Sequence, residues 1–299
     1  AQSQQILLAV SHVMRYTAYT QALKQLLATG CIGDIVSIQH LEPVGYWHYA
    51  HSFVRGNWRN EALSSFMLLA KSCHDLDWLR YLIDHRCVQV SSFGSLQHFR
   101  RERKPAAAGA AKRCLDCAYE PQCTYSAKKF YLDRLAQNRL GWPLDVITTE
   151  FTHESVLTAL RDGHYGRCVY ECDNDVVDHQ VVNLLYENGA TASFTMIGPS
   201  ELRKRQTSIY GTFGEIRGDG QRILHYDYLS GQTEEIAVPT SSEASGHDGG
   251  DHNVMQRFIA AVARRDPGYI LSGPAESLET HLTVFAAERA RLENRVVKV

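Results

Sequence analysis

The chain has 299 residues, of which 44% are hydrophobic, so it can bury a core large enough for one large domain or two small ones. Its 31 basic and 33 acidic side chains are spread along the sequence and leave a net charge of −2, which argues against nucleic acid or an anionic membrane as a partner. No apolar run approaches the length of a membrane span, and the first residues lack the pattern of a signal peptide. Eight cysteines in a chain of this length do not make a disulfide framework, so we expect a soluble cytoplasmic protein.

The first predicted element is a short, wholly apolar strand at residues 6–10, followed by a helix that stops at Gly30. A strand of this kind is buried on both faces and needs neighbours to pair with. No earlier stretch of this chain supplies one. The sequence therefore reads as though it begins part-way through an α/β domain.

From Gly33 onward the pattern changes to the alternation of a sheet strand, and a helix is predicted over residues 65–83. Another strand begins at Val88, and residues 100–112 are predicted to form a loop. The clearest hairpin turns at Asn188-Gly189, the pair that a type I′ turn favours. The later predicted strands are 207–211, 222–228 and 234–238, and the later predicted helices are 252–263 and 277–293.

The second arm of the hairpin alternates strictly. Thr191, Ser193 and Thr195 share one face of the predicted strand, opposite a row of apolar residues. One face of the sheet is therefore polar and needs water, substrate or another subunit against it. These elements predict an α+β fold, with a large, mostly antiparallel or mixed sheet, helices on one face, and a remnant of a parallel α/β unit before it.

The helix predicted over residues 65–83 carries Lys71 and His74 on one stripe. Histidine is the natural acid or base near neutral pH, and we expect the Lys71 ammonium to disfavour the imidazolium and keep His74 available as a base. The alternative is an exposed helix flank on which His74 pairs with Asp75 or Asp77.

A polar, turn-rich stretch before this helix contains Trp58 and Arg59. An indole face and a guanidinium fork suit a polyhydroxylated ligand. A tryptophan that merely anchors its loop to the core explains the same pattern.

Three of the cysteines lie close together in an insertion at about residues 98–145. The short spacings between them allow thiolates to converge on one Zn²⁺ in a closed, structural site. A fourth ligand is needed, for which Cys168 and His98 are alternatives to Cys172, and reduced thiols that pin the insertion remain the other interpretation. The predicted ligands are Cys114, Cys117, Cys123 and Cys172.

Several motifs, taken in chain order, resemble those of the Gfo/Idh/MocA oxidoreductases. They are Ser11-His12-Val13-Met14-Arg15-Tyr16, Ala28-Thr29-Gly30-Cys31-Ile32-Gly33-Asp34-Ile35, Trp58-Arg59, Ser72-Cys73-His74-Asp75-Leu76-Asp77, Tyr210-Gly211-Thr212-Phe213-Gly214-Glu215-Ile216 and Phe285-Ala286-Ala287-Glu288. The resemblance implies the fold of a glyceraldehyde-3-phosphate-dehydrogenase-like C-terminal domain. It also implies that residues 1–16 are the last strand of a missing dinucleotide-binding domain and that residues 17–299 form the substrate-binding and oligomerisation domain.

The resemblance further implies an NAD(P)-dependent oxidoreductase that acts on a hydroxyl of a sugar or cyclitol. His74 matches the histidine that handles the hydroxyl proton. Arg15 and Tyr16 match positions that close over the nicotinamide and substrate, and Trp58 and Arg59 match the approach to the site.

This sequence departs from the family pattern at two places. Ser64 and Ser65 stand where the family has a glycine pair, and Ala70 stands where it has an aspartate, with Lys71 beside it. We therefore include Lys71 with His74 among the catalytic residues, as a changed electrostatic partner.

The Gly-rich turn and the Glu-Lys-Pro motif of the family are absent from this sequence. We therefore expect NAD or NADP to be bound mainly by the missing domain, and this chain alone to be inactive. The family also uses its open sheet face to form homo-oligomers. The alternative is a non-catalytic binding or oligomerisation module derived from the same family.

Overall fold

The computed structural model describes residues 6–201, 204–239 and 247–299. The strands in these ranges are β1 (Ile35–Pro43), β2 (Cys87–Ser95), β3 (His179–Tyr186), β4 (Thr191–Ile197), β5 (Gln206–Gly211), β6 (Gly214–Gly218), β7 (Ile223–Asp227), β8 (Thr233–Ile236) and β9 (Val297–Lys298). They form one sheet in the order β8-β7-β6-β5-β1-β4-β3-β2-β9. β1 and β4 run parallel, and the other neighbouring pairs are antiparallel, so the predicted mostly antiparallel, mixed sheet is confirmed.

The α-helices are α1 (Ala18–Ala28), α2 (Tyr46–Tyr49), α3 (Met67–Ile83), α4 (Ala127–Ala136), α5 (Leu144–Ile147), α6 (His153–Asp162), α7 (Gly250–Arg264) and α8 (Pro274–Glu293). α3 packs against α8 and against β1 and β4, while α8 packs against β2. The helical side of the sheet is therefore covered, as predicted. None of the helices in the described ranges is long and apolar enough to cross a membrane.

β4 shows why the two faces of the sheet differ. Ala192, Phe194 and Met196 are buried against the helices, and the intervening threonines and serine point to the other face. This confirms the alternation predicted for the strand. The hairpin between β3 and β4 is confirmed, but its turn is not the type I′ turn that Asn188-Gly189 favours, because Gly189 has φ 86 while Asn188 does not have a positive φ.

The strand predicted at residues 6–10 is wrong. This stretch has no regular secondary structure, and Ile6 and Leu8 are 63% and 47% exposed. Val10 is tied to Ser272 by two hydrogen bonds: the Val10 amide donates to the Ser272 carbonyl (3.0 Å), and the Val10 carbonyl accepts from the Ser272 hydroxyl (2.5 Å). Apolar character alone does not make a strand, because no strand in the described ranges lies beside this stretch to complete a ladder.

The segment between β2 and β3 builds a small core of its own. Tyr131 of α4, Leu144 of α5 and Leu160 of α6 pack together in it with Cys114. The helices of this segment continue beyond residue 145, where we expected the insertion to end. The segment, residues 96–178, thus contains a helical unit between β2 and β3, while its residues 100–112 form no α-helix or strand, as the predicted loop requires.

Candidate active site

His74 lies on the side of α3 that faces His12. Its side chain is half-buried, and Nδ1 is buried with no hydrogen-bond partner within the described residues. Burial lowers the pKa of His74 to about 4, and the nearby carboxylate of Asp75 opposes this only in part. The imidazole is therefore neutral at neutral pH and can accept a proton.

Three further histidines lie near His74 and form with it what we call the histidine cluster. The ring centroid of His12 is 5.8 Å from that of His74 and 5.5 Å from that of His281. The ring centroid of His247 lies 6.2 Å from that of His74. His12 is 2% exposed, and in the described structure neither of its ring nitrogens has a hydrogen-bond partner. Four separate segments therefore converge on one group of imidazoles.

Close packing of α7 holds two of these segments together. A side chain at Gly250 would lie 2.6 Å from the Val13 carbonyl oxygen, so glycine permits α7 to approach the helical turn Val13–Tyr16. The Asn253 side chain then donates a hydrogen bond to the Tyr16 carbonyl (2.9 Å). These contacts fix the stretch that carries His12 beside the start of α7.

The residue after His74 is Asp75, a fully buried carboxylate. Its oxygens contact Nε2 of His40 on β1 (3.0 Å) and accept a hydrogen bond from Nε of Arg205 (2.5 Å). Burial alone would raise the pKa of Asp75, but Arg205 and His40 together lower it below its usual range. Asp75 therefore serves the fold as a charged link between α3 and the sheet.

Asp77, on the next turn of α3, is also buried and occupied. It accepts hydrogen bonds from Arg15 (2.7 Å) and from the Thr280 hydroxyl (3.2 Å), and its Oδ2 lies 3.7 Å from Nδ1 of His12. Neither Asp75 nor Asp77 bonds to His74 in the described part of the chain. The structure thus does not follow the alternative in which His74 pairs with one of them.

Lys71 does not act on His74 as we expected from the sequence. Its Nζ lies 2.9 Å from Oε1 of Glu42, a buried residue near the end of β1. The charge of Lys71 is thus balanced locally, and burial is the main reason that the pKa of His74 is low. The prediction that the Lys71 ammonium keeps His74 neutral is wrong, because burial does so. The predicted neutral state of His74 itself agrees with the structure.

Arg15 and Tyr16 are placed next to the histidine cluster but are engaged in the fold. Arg15 is 1% exposed, and its guanidinium donates to Asp77 (2.7 Å) and Glu276 (2.5 Å). The Tyr16 hydroxyl lies 2.8 Å from the Ser272 hydroxyl. Both side chains position the His12 segment, and their predicted role in binding substrate stays a prediction.

Trp58 and Arg59 lie apart from this cluster. Arg59 donates two hydrogen bonds to Asp173 (2.9 and 3.2 Å), at the end of the segment 96–178. Trp58 is 48% exposed. The Arg59 fork is thus used to close a surface loop, and the predicted sugar contacts of this pair are not tested by the structure.

Three of the four predicted zinc ligands line one cavity, and Cys168 takes the place predicted for Cys172. Cys172 lies outside the cavity that the other members of the cluster line, and its thiol donates to the Cys168 carbonyl (3.3 Å). None of the eight cysteines forms a disulfide bond. Within the described ranges no group of three or more His, Cys, Asp or Glu side chains has the arrangement of a metal site, so bound zinc is not confirmed. The cysteines that do line the cavity are Cys114, Cys117, Cys123 and Cys168.

Sequence reasoning found His74 but missed the rest of the histidine cluster. The only local signal for His12 was its place in the motif that ends at Tyr16. His247 lies in a Gly-rich stretch that matched no phosphate-binding motif, and His281 looked like one of many polar positions on its helix. Their convergence is a property of the tertiary structure.

Comparison with known proteins identifies the family to which this fold belongs. The family model of the Gfo/Idh/MocA C-terminal domain, described as an oxidoreductase family C-terminal alpha/beta domain, matches residues 24–299. YteT of Bacillus subtilis (strain 168), described as an oxidoreductase, is 23% identical over 256 residues, which cover 81% of this chain and 57% of that protein.

Two solved structures share the fold. A levoglucosan dehydrogenase in complex with NADH has a TM-score of 0.64 at 14% identity and covers 100% of this chain and 68% of its own. An aldose-aldose oxidoreductase from Caulobacter crescentus, complexed with glycerol, has a TM-score of 0.59 at 14% identity, covering 100% of this chain and 65% of its own. This chain therefore spans little more than half of YteT and about two thirds of these structures.

Proposed function

Because this chain belongs to the C-terminal alpha/beta domain family of the Gfo/Idh/MocA oxidoreductases, we propose that it is the substrate-binding and oligomerisation portion of an NAD(P)-dependent oxidoreductase. The substrate in this proposal is a sugar or cyclitol with an oxidisable ring hydroxyl. The observation that carries it is the neutral, half-buried imidazole of His74, whose Nδ1 has no partner in the described structure. An unpaired buried nitrogen is costly unless a ligand or a function uses the side chain.

In this proposal His74 is the general base. It would accept the proton of the substrate hydroxyl as the ring carbon is oxidised to a carbonyl, and a nicotinamide held outside this chain would supply the acceptor for the hydride. Lys71 lies one turn earlier on α3 and has donors beyond the one that meets Glu42. We assign it to the reacting oxygen, where a fixed positive charge stabilises the negative charge that develops as the proton leaves.

Polar groups for a polyhydroxylated substrate lie beside the histidine cluster. Arg205, His247 and Asp248 line a cavity of about 70 Å³ together with Thr207. Fixed donors and acceptors of this kind give a site its orientation and its selectivity for hydroxyl groups. The fold neighbours named for levoglucosan and aldose oxidation support the same substrate class.

The dinucleotide itself does not fit the residues of this chain. Its sequence has no Gly-rich turn between a strand and a helix. Such a turn binds the pyrophosphate at the N-terminus of the helix, where glycines allow the backbone to come close to it. We therefore assign nucleotide binding to a separate domain that meets this one at the histidine cluster. This chain supplies the proton acceptor and the substrate contacts.

The polar face of the sheet is proposed as the oligomer interface. Ser193 and Thr195 line a broad, shallow depression of about 530 Å³ there, together with Gln39, Arg217 and Arg222. A second copy packed face to face would cover this surface, and a two-fold axis would make each contact between two different residues occur twice.

The experiment that tests the proposed function is a substrate screen on the protein expressed from its complete coding sequence. Aldoses and cyclitols are offered with NAD⁺ and with NADP⁺, and formation of the reduced nicotinamide is followed. We expect turnover with at least one ring alcohol and none with the matching deoxy sugar, which lacks the reacting hydroxyl. Reduction of neither dinucleotide by any alcohol of these classes would contradict the proposal.

A further inference from the structure

We propose that the segment 96–178 is held by one Zn²⁺ bound to four thiolates, in a site that is structural and separate from the histidine cluster. Its ligands are Cys114, Cys117, Cys123 and Cys168. The site goes beyond the oxidoreductase function, and nothing in that function depends on it.

The first support is the convergence of the thiols. Cys114 and Cys117 flank one helical turn, Cys123 ends the next, and Cys168 comes from a stretch far along the chain, yet all line the same cavity. The cavity measures about 20 Å³, which is enough room for a single ion but not for a substrate molecule. Four cysteine thiolates are the donor set of a closed zinc site, and the four that line this cavity supply that set.

Backbone pairing explains how the distant cysteine is brought in. Arg113 and Arg167 form an antiparallel bridge, and the Cys168 amide donates to the Lys112 carbonyl (2.8 Å). Cys114 and Cys168 therefore follow directly from two paired residues. Their approach depends on main-chain hydrogen bonds and not on side-chain packing alone.

The second support is a buried cation with no carboxylate partner. Arg55 is 3% exposed, and its guanidinium donates to the carbonyls of Arg167 and Tyr125 (2.7 Å each) and lies 3.7 Å from Sγ of Cys114. In the described ranges no acidic side chain forms an ion pair with it. A guanidinium keeps its charge, and buried charges are normally paired. Four thiolates around Zn²⁺ carry a net negative charge, which supplies the missing counter-ion.

The sulfur of Cys114 also meets a backbone donor. It accepts a hydrogen bond from the backbone amide of Ala127 (3.4 Å), in the first turn of α4. The partial positive charge of a helix N-terminus stabilises an anion there, and donors to ligating sulfurs orient them towards the metal.

The sulfurs in the described structure do not yet have the arrangement of a metal site. Binding therefore requires cysteine side chains to rotate towards the cavity between their staggered conformations. Cys172 lies outside the cavity lining, with its thiol directed at the Cys168 carbonyl. It has the same chemistry and lies four residues from Cys168, so it provides the matched control.

The test is zinc content by mass spectrometry of the chain, purified without chelator from cells grown with added zinc. We expect about one equivalent in the wild type and in Cys172→Ser, and loss of most of it in Cys168→Ser. If Cys168→Ser fails to fold, chelation of the wild type replaces it. Removal of zinc should then make the four ligand thiols reactive towards a thiol reagent and increase amide exchange within residues 96–178 but not in β4.

Three results would overturn the proposal. The first is folded wild-type protein that contains no zinc after growth with added metal. The second is a disulfide between any two of the four cysteines in freshly purified protein. The third is equal zinc content in Cys168→Ser and the wild type.

Discussion

The buried carboxylate of Asp75 offers a sharp test of how the site is held. Asp75→Asn keeps the shape of the side chain but removes the charge that Arg205 and His40 contact at 2.5 and 3.0 Å. Removing one partner of a buried ion pair typically costs about 3–5 kcal/mol. The Arg205 side chain is 26% exposed, so water partly screens it, and its Nε still lies 3.1 Å from Glu42 when Asp75 is replaced. We therefore expect a loss of about 2–3 kcal/mol in the free energy of unfolding.

Urea denaturation at neutral pH, followed by circular dichroism, measures this loss. Glu102→Gln is the matched control, because it removes a carboxylate that lies 3.9 Å from Arg100 on the exposed surface, and we expect no measurable change there. A stability of Asp75→Asn equal to that of the wild type would refute the reasoning.

The pH dependence of the same difference gives a second check. The pKa of Asp75 is lowered in the folded protein, so its contribution is present above the pKa of an unfolded aspartate, about 3.9, and is lost as the pH falls through the folded-state pKa. The gap between wild type and Asp75→Asn should thus stay constant between about pH 5 and pH 8 and shrink in stronger acid. A gap that widens on acidification would contradict the assignment.

Two further predictions concern this chain alone. Calorimetry with NADH or NADPH at about 0.1 mM should show no binding, because the sequence lacks a Gly-rich turn before a helix, and a clear micromolar isotherm would contradict this. Sedimentation should show a self-associated species that Ser193→Arg, on the polar sheet face, shifts towards monomer, whereas Lys129→Arg on the exposed side of α4 leaves it unchanged. A wild-type chain that sediments as a monomer would exclude the sheet interface.

Local patterns predicted the elements whose periodicity matches their surroundings. α3 and β4 were recognised because a helical stripe and a strict alternation each bury one face. Residues 6–10 have the composition of a buried strand, yet a strand depends on a partner that composition does not reveal. β6 (Gly214–Gly218) was not among the predicted strands, and its pairing with β5 and β7 supplies what the sequence does not show.

The sequence likewise predicted the site residues that lie in a motif, but not the ion pairs between distant parts of the chain. His74 was identified from a motif, but the partner of Lys71 was not, since Glu42 is on a different strand and meets it only in the folded chain. The sequence predicted that Arg15 contacts the substrate, but in the structure its guanidinium donates hydrogen bonds to Asp77 and Glu276. Charge pairing over long sequence separations is set by tertiary contacts, and a single sequence does not report it.

The most direct test of the central claim is the turnover of His74→Ala in the protein expressed from its complete coding sequence. We predict that kcat and kcat/KM fall together by about 10²–10⁴-fold, the usual contribution of a general acid or base. His85→Ala, which removes a surface histidine that pairs with Glu187 at 3.5 Å, should keep the wild-type rates. Near-normal turnover in His74→Ala, with an unchanged circular dichroism spectrum, would contradict the account.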